Sequence, residues 1–287
     1  MKILTCIIIA YFGLSSADTI PELAEKLNGL KFVKLLDDVG LTDMLSGSGP
    51  FTVFVPTDNA FDALADDVFN KMTKDKEMLK SVLLFHILSW KIYTKELNNE
   101  KRIPTLNNNM KVRINLYNKK IVIDGSKVLL ADQNSTNGVI HVIDKVLVPL
   151  PSQNMLQYLA SNGEFYKFIH SFVKVKLERK LIDGPFTLFA PTDAAFEHFP
   201  PYLLIKLVSD DKKLSDTLNY HLVKGTLYTA GLTNGMVLPT VEGRSLNITM
   251  NPDKLVVSDC KITTADISVV NGVIHVIDTV LLPPVVG

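Results

Sequence analysis

Histidine is the residue type with the greatest capacity for chemistry in this sequence, and four of its six histidines occupy matching positions in two halves of the chain. An imidazole titrates near neutral pH and can act as a general acid or base or as a metal ligand. His141 is followed three residues later by Asp144, and His275 is followed in the same way by Asp278. On a β-strand, however, residues three apart point to opposite faces, so neither pair can share one ion.

The other two matching histidines lie on the apolar face of a predicted helix. Leu79, Val82, Leu83 and His86 follow the i, i+3, i+4, i+7 spacing of an amphipathic helix, and His221 closes the same pattern 135 residues later. A histidine in such a position is usually a core residue with one ring nitrogen bonded to the backbone. We therefore expect His86 and His221 to be structural.

Sequence signatures of enzymes are missing. No His-Glu-x-x-His, paired Cys-x-x-Cys, Walker loop, dinucleotide-binding glycine fingerprint or Gly-x-Ser-x-Gly elbow occurs in the sequence. A basic run at residues 174–180 alternates with apolar residues and is typical of a solvated edge, although a heparin-like polyanion could use it. The sequence therefore predicts no enzyme, no cofactor and no metal site.

The composition is typical of an ordinary globular protein. Of the 287 residues 47% are apolar, and 30 basic side chains balance 30 acidic ones. A disordered chain would be poorer in apolar residues, and a nucleic-acid-binding protein would usually carry a basic excess. The length is sufficient for two domains, each with its own core.

Residues 1–17 predict a secretory signal peptide. Lys2 supplies the positive charge, residues 3–14 are apolar, and small side chains at 15–17 precede an expected cleavage before Asp18. The apolar run is shorter than the ~20 residues that span a bilayer, and the other end of the sequence has no lipid-anchor signal. We expect a secreted, extracellular protein with no membrane span or lipid anchor.

An exported protein would keep one cysteine and two candidate glycosylation sites. Cys260 lies in an apolar-rich stretch, which favours a buried thiol over an intermolecular disulfide. Asn134 and Asn247 each begin an Asn-x-Ser/Thr sequon. Asn247 alternates with apolar neighbours on a predicted strand, and Asn134 lies in a predicted polar loop at residues 132–137, so we expect both side chains to be exposed.

The strongest signal in the sequence is internal repetition. Residues 49–61 recur as 184–196, and residues 137–144 recur as 271–278, in the same order and at nearly the same spacing. The period is much longer than the 20–50 residues of a solenoid unit, so each copy is a whole domain. With residues 149–152 as the linker, we expect a first module at 18–150 and a second module at 151–287.

Each module is predicted to have an α+β fold. Residues 51–55 indicate a buried strand that ends at Pro56, after which Thr57 provides a helix N-cap. The last third of each module alternates with a period of two, which predicts a largely antiparallel sheet against which the helices pack. Turns are predicted in this part of each module at the dipeptides Asn118-Lys119, Asp124-Gly125, Asn137-Gly138, Pro252-Asp253 and Asn271-Gly272.

The repeated motifs resemble the signature boxes of the fasciclin-type domain family. Phe-Thr-x-Phe-x-Pro-Thr-Asp-x-Ala-Phe and Asn-Gly-Val-Ile-His-Val-Ile-Asp occur in both modules, together with the helical histidine segment between them. The resemblance implies a wedge-shaped sheet with helices. It also implies an extracellular role in cell adhesion or matrix assembly, with integrin-like receptors, matrix proteins or glycans as partners.

The resemblance also implies where a receptor would bind. An Asp-Ile pair ahead of the Asn-Gly strand is present as Asp266-Ile267 in the second module, whereas the first module has Asp132-Gln133. A Tyr-His pair is present as Tyr220-His221. The second module is therefore the better candidate for integrin contact.

The residue pattern leaves other interpretations open. The helical spacing places His221 on the buried face, whereas Tyr220 is rotated away from that face, and Ile267 could pack inward as a strand residue. The apolar content also permits an alternative function, an extracellular carrier of a small apolar ligand held between helices and sheet.

Overall fold

A computed structural model describes residues 18–108, 110–118, 120–149, 152–251 and 254–284. The predicted signal peptide lies outside the described residues. So do Lys119, two residues of the predicted linker, Leu150 and Pro151, and the Pro252-Asp253 turn.

The first module begins with helices and ends with strands. Three helices precede the first strand, three more follow it, and a five-stranded meander ends the module. In chain order the elements are α1 (Ile20–Lys26), α2 (Leu30–Asp38), α3 (Thr42–Ser46), β1 (Phe51–Pro56), α4 (Asp58–Asp62), α5 (Asp66–Lys74), α6 (Lys76–Phe85), β2 (Ile87–Leu88), a 3₁₀ turn (Thr94–Glu96), β3 (Arg102–Pro104), β4 (Lys111–Tyr117), β5 (Lys120–Ile123), β6 (Ser126–Asn134) and β7 (Gly138–Ile143).

The second module repeats this order, with a 3₁₀ turn in place of the third helix. Its elements are α7 (Met155–Asn162), α8 (Tyr166–Lys174), a 3₁₀ turn (Glu178–Leu181), β8 (Phe186–Pro191), α9 (Asp193–Glu197), α10 (Pro201–Val208), α11 (Asp211–Tyr220), β9 (Leu222–Lys224), a 3₁₀ turn (Thr229–Gly231), β10 (Val237–Pro239), β11 (Ser245–Asn251), β12 (Lys254–Val257), β13 (Cys260–Val269) and β14 (Gly272–Ile277).

Each module has its own seven-stranded, mostly antiparallel sheet. The order is β2-β1-β7-β6-β5-β4-β3 in the first, and the equivalent strands of the second follow the same order. The first and last strands of the repeated motifs pair in parallel, with Phe51 opposite Gly138 and Phe186 opposite Gly272. The α+β fold predicted for two tandem modules is confirmed.

The predicted exit from the first strand of each module is also confirmed. Thr57 Oγ1 accepts a hydrogen bond of 3.2 Å from the Ala60 amide at the start of α4. Thr192 caps α9 in the same way through the Ala195 amide. Such a cap satisfies one of the amides that a helix start leaves unpaired, so the chain can turn sharply from strand to helix.

The core of each module occupies both faces of its sheet. In the second module Leu188 and Ala190 of β8 pack in the cluster on the helical side, whereas Phe189 between them packs in the cluster on the other side. All six residues of β7 and of β14 are buried, as expected for central strands. Cys260 is a buried free thiol, as predicted, and burial raises its pKa to about 12.

The Asn-Gly pair of each repeated motif does more than form a turn. Asn271 Oδ1 accepts from the Met155 amide at 2.9 Å, and its Nδ2 donates to the carbonyls of Leu181 and Asp183. A Cβ atom on Gly272 would overlap the Phe186 carbonyl oxygen, so the parallel strands approach closely only with glycine there. Asn271 thereby joins the first helix and the 3₁₀ turn of the second module to its sheet.

Asn271→Ala should lower the free energy of unfolding of the second module by about 3 kcal/mol, because three hydrogen bonds are lost at about 1 kcal/mol each. Urea denaturation followed by circular dichroism measures this loss. Asn162→Ala, at an exposed helix end, is the control. Equal unfolding midpoints for the two variants would contradict the assigned role.

Candidate partner-binding site

The two helical histidines are internal connectors between backbone segments. His86 Nδ1 lies 2.8 Å from the Val82 carbonyl, and its Nε2 lies 2.9 Å from the Leu147 amide nitrogen. An amide can only donate, so Nε2 accepts and Nδ1 carries the proton. His221 makes the equivalent contacts with the Thr217 carbonyl and the Leu281 amide, and both rings are fully buried. The prediction that these histidines are core residues is confirmed.

Burial also fixes the charge of these two rings. Loss of hydration lowers the pKa of His86 and of His221 from 6.5 to about 4. Both imidazoles are therefore neutral at physiological pH. Aromatic rings cover them, Phe32 over His86 and Phe168 over His221.

The two strand histidines form a second internal pair with the opposite tautomer. His141 Nδ1 accepts from the Asp132 amide at 3.2 Å, so Nε2 carries the proton and donates to the Ile92 carbonyl at 2.9 Å. His275 repeats these contacts with Asp266 and Leu227. Burial lowers the pKa of both rings.

None of these histidines joins a metal site in the part of the chain that the structure describes, which contains no group of three or more potential ligands. The Asp144 carboxylate, three residues after His141, instead accepts from the Ser126 hydroxyl and the Lys127 amide. Asp144 and His141 therefore have separate partners, as the strand spacing predicts.

The Asp266-Ile267 pair lies at a β-bulge of the second module. Asp266 has a positive φ of 63°, and its carboxylate accepts from the amide and the hydroxyl of Thr229. The ammonium of Lys145, from the first module, lies 3.2 Å from the same carboxylate. Ile267 is half-buried, pairs with Ile274 and packs against the core on the helical side. The bulge therefore exposes only part of each side chain.

Asp132 has the corresponding contacts in the first module. Its φ is 57°, and its carboxylate accepts from the amide and the hydroxyl of Thr94. Both aspartates thus hold a 3₁₀ turn against a bulge, whether or not isoleucine follows. The structural role is common to the two modules, whereas the apolar neighbour Ile267 is specific to the second.

The Tyr220-His221 pair lies inside the second module. Tyr220 is 4% exposed, and its hydroxyl donates to the Ser245 carbonyl at 3.0 Å. Tyr220 does point away from the helical core, as the periodicity predicts, but it is not exposed, because the other face of the sheet also packs a core and that core contains Tyr220. The His221 ring contacts Phe168 of the helical core, against which Ile267 also packs, so the sheet separates Tyr220, but not His221, from Ile267.

The two sequon asparagines are exposed, as expected. Asn247 alternates with buried Leu246 and Ile248 on β11. The predicted loop at residues 132–137 is wrong for Asn134, which is the last residue of β6 and pairs with Val139 of β7. Its side chain accepts a hydrogen bond of 2.6 Å from the Tyr93 hydroxyl. Exposure is compatible with glycosylation at both positions, which stays a prediction.

Polar side chains join the two modules along a buried seam. Glu100 of the first module accepts from both the amide and the hydroxyl of Thr226 at 2.7 Å, and from Arg113 Nη1 at 3.0 Å. The Tyr117 hydroxyl donates to the Thr226 carbonyl at 2.6 Å. Arg113 Nη2 also donates to two carbonyls of the second module, those of Val269 and Val270.

Tyr228 occupies the apolar centre of the seam. Its fully buried ring packs with Val122, Val273 and Ala230 and against Gly125. Its hydroxyl lies 2.5 Å from Ser268 Oγ. The matching tyrosine of the first module, Tyr93, is half-buried within its own module, so the repeat has diverged where the modules meet.

Comparison with known proteins agrees with the repeated architecture. A family model described as the Fasciclin domain matches residues 29–149 and again residues 163–283. The chain belongs to the fasciclin-domain family. Fasciclin domains are non-enzymatic, so the prediction that the chain is not an enzyme is confirmed on that ground.

Similar fasciclin proteins include two longer ones. Human periostin is 31% identical over 247 residues, which is 85% of this chain and 29% of periostin. Pig transforming growth factor-beta-induced protein ig-h3 is 30% identical over 244 residues, which is 83% of this chain and 35% of that protein. The chain thus spans less than two-fifths of the length of either curated relative.

A solved structure of a FAS1 domain pair from the insect cell adhesion molecule Fasciclin I is similar to this chain. The match covers 90% of this chain and 98% of the solved one, at 21% identity and a TM-score of 0.42.

Among the described residues, no helix is both long enough and apolar enough to cross a membrane.

The seam residues are the part of the molecule that sequence reasoning missed. Arg113, Asn115 and Tyr117 alternate with apolar residues on β4, which indicates a solvated outer face. Arg113 and Asn115 are nevertheless buried, because the second fasciclin domain covers that face. The equivalent strand β11 has exposed residues at these alternate positions. The sequence of one domain contains no signal that distinguishes the two cases.

His221→Gln should flatten the pH dependence of stability between about pH 6.5 and pH 4. The unfolded ring binds a proton near 6.5 and the folded ring only near 4, so the unfolded state holds more protons in this window and stability falls as pH falls. The fully developed difference is about 3 kcal/mol. Unfolding free energies at several pH values test this, with the exposed His170→Gln as control. Parallel curves for wild type and His221→Gln would contradict it.

Glu100→Ala should loosen the seam without unfolding either domain. It removes the acceptor of two Thr226 donors and the counter-ion of the buried Arg113, at a cost of about 2–4 kcal/mol of coupling. Calorimetry should then show two thermal transitions where the wild type shows one. Glu25→Ala, at an exposed helix position, should keep the single transition. A single transition for Glu100→Ala would show that Glu100 does not couple the domains.

Proposed function

We propose that this protein is a secreted adhesion or matrix-associated protein, in which a pair of fasciclin domains binds cell-surface receptors, matrix proteins or glycans. One observation carries the proposal: all four repeated histidines and both bulge aspartates have their hydrogen-bonding groups occupied inside the fold. The repeated polar residues therefore build a scaffold. What such a scaffold offers a partner is its shape and its exposed side chains.

The proposal extends to export and to domain limits. Signal-peptide cleavage before Asp18, domains at 18–150 and 151–287, and glycans on Asn134 and Asn247 are all consistent with an extracellular adhesive role. Both asparagines are exposed, as an oligosaccharide requires.

We place the contact with an integrin-like receptor at the Asp266-Ile267 bulge of the second domain. Ile267 is the candidate contact residue, because the first domain has the same bulge with glutamine at that position. Asp266 would shape the bulge through Thr229. Tyr220 and His221 would support the site from within the core, because neither side chain reaches the surface.

The alternative of an apolar-ligand carrier has no specific support among the described residues. The cleft between the two domains has a volume of about 220 Å³, is open to solvent and is lined by four cationic side chains. An apolar ligand would need an enclosed, mostly apolar cavity.

Ile267→Gln should reduce cell attachment to the immobilised protein, because it removes the candidate contact side chain. Glutamine is chosen because the first domain already has an Asp-Gln pair at this place. The expected loss is about tenfold or more in the coating concentration for half-maximal attachment, as for a central contact residue. The substitution leaves Asp266 and its contacts in place, and thermal melting of the variant reports whether the half-buried position accepts glutamine.

Two further variants sharpen this attachment test. Val237→Gln removes an exposed apolar side chain elsewhere in the second domain and should not change attachment. Gln133→Ile gives the first domain an Asp-Ile pair. Combined with Ile267→Gln in one chain, it should restore cell attachment. Undiminished attachment by Ile267→Gln would remove this site from the proposal.

A further inference from the structure

The open cleft of about 220 Å³ lies between the two fasciclin domains, and one of its walls carries an unusual concentration of positive charge. Arg102 on β3 is directly opposite Arg113 on β4 in the register of the first sheet. Lys111 lies two residues before Arg113 on β4, so its side chain shares the face of Arg113. Like charges directly opposite each other on neighbouring strands repel, so this arrangement is unfavourable by itself.

The negative groups around the cleft only partly compensate for this charge. Arg113 pairs with Glu100, and Lys145 pairs with Asp266 across the cleft. Among the described residues no carboxylate lies within 4 Å of Arg102 or Lys111 in an ion pair. The one polar contact of the Arg102 guanidinium there is the neutral carbonyl of Val270, at 3.1 Å.

The remaining carboxyl group of the cleft, that of Asp124, is half-buried. Burial raises its pKa to about 6, so its negative charge is less favourable than that of an exposed aspartate. Burial and the neighbouring Arg113 lower the pKa of Arg102, as expected for a crowded cation. The shift in the pKa of Arg102 agrees with a local excess of positive charge, which a bound anion would relieve.

The basic run that the sequence suggested for polyanions differs in its setting. The Lys174 ammonium lies 2.6 Å from the Asp211 carboxylate, and Arg179 lies near Asp183. Lys176 and Lys180 have no ion pair among the described residues, but the run follows a helix end and a 3₁₀ turn, whereas Arg102 and Lys111 line a cleft with walls from both domains. The cleft is therefore the better site for an external anion.

We propose that this cleft binds sulfate groups of an acidic glycan, with Arg102 and Lys111 as the contact residues. Cross-strand side chains are about 5 Å apart and same-face neighbours on a strand about 6.6 Å apart, so Arg102 and Lys111 flank the buried Arg113 closely enough to meet several anions at once. A sulfated disaccharide carries several anionic groups within that distance. The assignment deepens the proposed adhesive function, on which it rests for the extracellular setting, by naming a glycan partner and its site.

The test is titration of the full chain with a trisulfated heparin-type disaccharide, followed by NMR chemical shifts of backbone amides and arginine side chains. Saturable shifts should concentrate at Arg102, Arg113 and the amides of Val269 and Val270. Arg102→Ala combined with Lys111→Ala should weaken binding by about tenfold or more, because two charge-assisted contacts are lost. Inorganic sulfate should bind the same place more weakly, and the unsulfated disaccharide should not bind.

The matched control removes two exposed lysines from the same domain. Lys120→Ala combined with Lys127→Ala makes the same change in net charge at exposed positions that do not line the cleft, and it should leave affinity within about twofold, since exposed charges outside the site are screened by salt. Thermal melting of both double variants reports whether they remain folded.

Three results would overturn the assignment: equal losses in the two double variants, shifts scattered over surface lysines, or tighter binding of a tetraglutamate peptide than of the disaccharide. Loss of cell attachment in Ile267→Gln does not depend on this titration. The glycan site and the receptor site can therefore fail separately.

Discussion

Each module depends on buried imidazoles that bond the backbone through both ring nitrogens. A histidine in an apolar core costs free energy unless its donor and its acceptor are both satisfied. In His86 and His221 the proton lies on Nδ1, and in His141 and His275 it lies on Nε2, because an amide that can only donate faces the other nitrogen. These rings tie the last helix and the central strand of each module to the segments at Leu147 and Ile92 in the first module and at Leu281 and Leu227 in the second. The four histidines that suggest chemistry in the sequence therefore have a structural role in the fold.

Duplication produced two similar modules, but the seam between them makes the molecule asymmetric. The outer face of β4 is covered by the second module, whereas the equivalent face of β11 is exposed. Glu100 and Arg113 contribute charge to this contact, and Tyr228 contributes apolar area. A buried ion pair of this kind stabilises an interface only when further hydrogen bonds satisfy both partners, and here Thr226 and two backbone carbonyls do so. The surface offered to a partner therefore belongs to the pair of modules.

Repetition and periodicity predicted most of the fold. The α+β class, the helix caps at Thr57 and Thr192 and the core location of His86 and His221 all follow from spacing within one module. These features depend on residue spacing along single helices and strands, which can be read from one sequence. The buried position of Tyr220 was missed because helical periodicity identifies one apolar face, whereas α11 lies between a helical core and a sheet core. The seam was missed for a related reason. A polar residue that alternates with apolar ones has the same pattern whether water or a second module covers it.

The bulge aspartates show a further limit of motif reasoning. Asp266 matches a receptor motif in the sequence, yet its carboxylate holds a turn in the same way as Asp132, which lacks the motif. A matched motif can therefore mark a structural feature that both modules share, and the residue that differs between the two copies, Ile267, is more informative about binding.

The most direct test of the scaffold account is the protonation state of the four imidazoles in solution. Nitrogen-15 chemical shifts of the ring atoms distinguish the two neutral tautomers and the charged form. The rings should be Nδ1–H in His86 and His221 and Nε2–H in His141 and His275, all neutral at pH 7.5 and unchanged when zinc is added. A charged imidazole at that pH, or a zinc-dependent shift at any of the four rings, would contradict it.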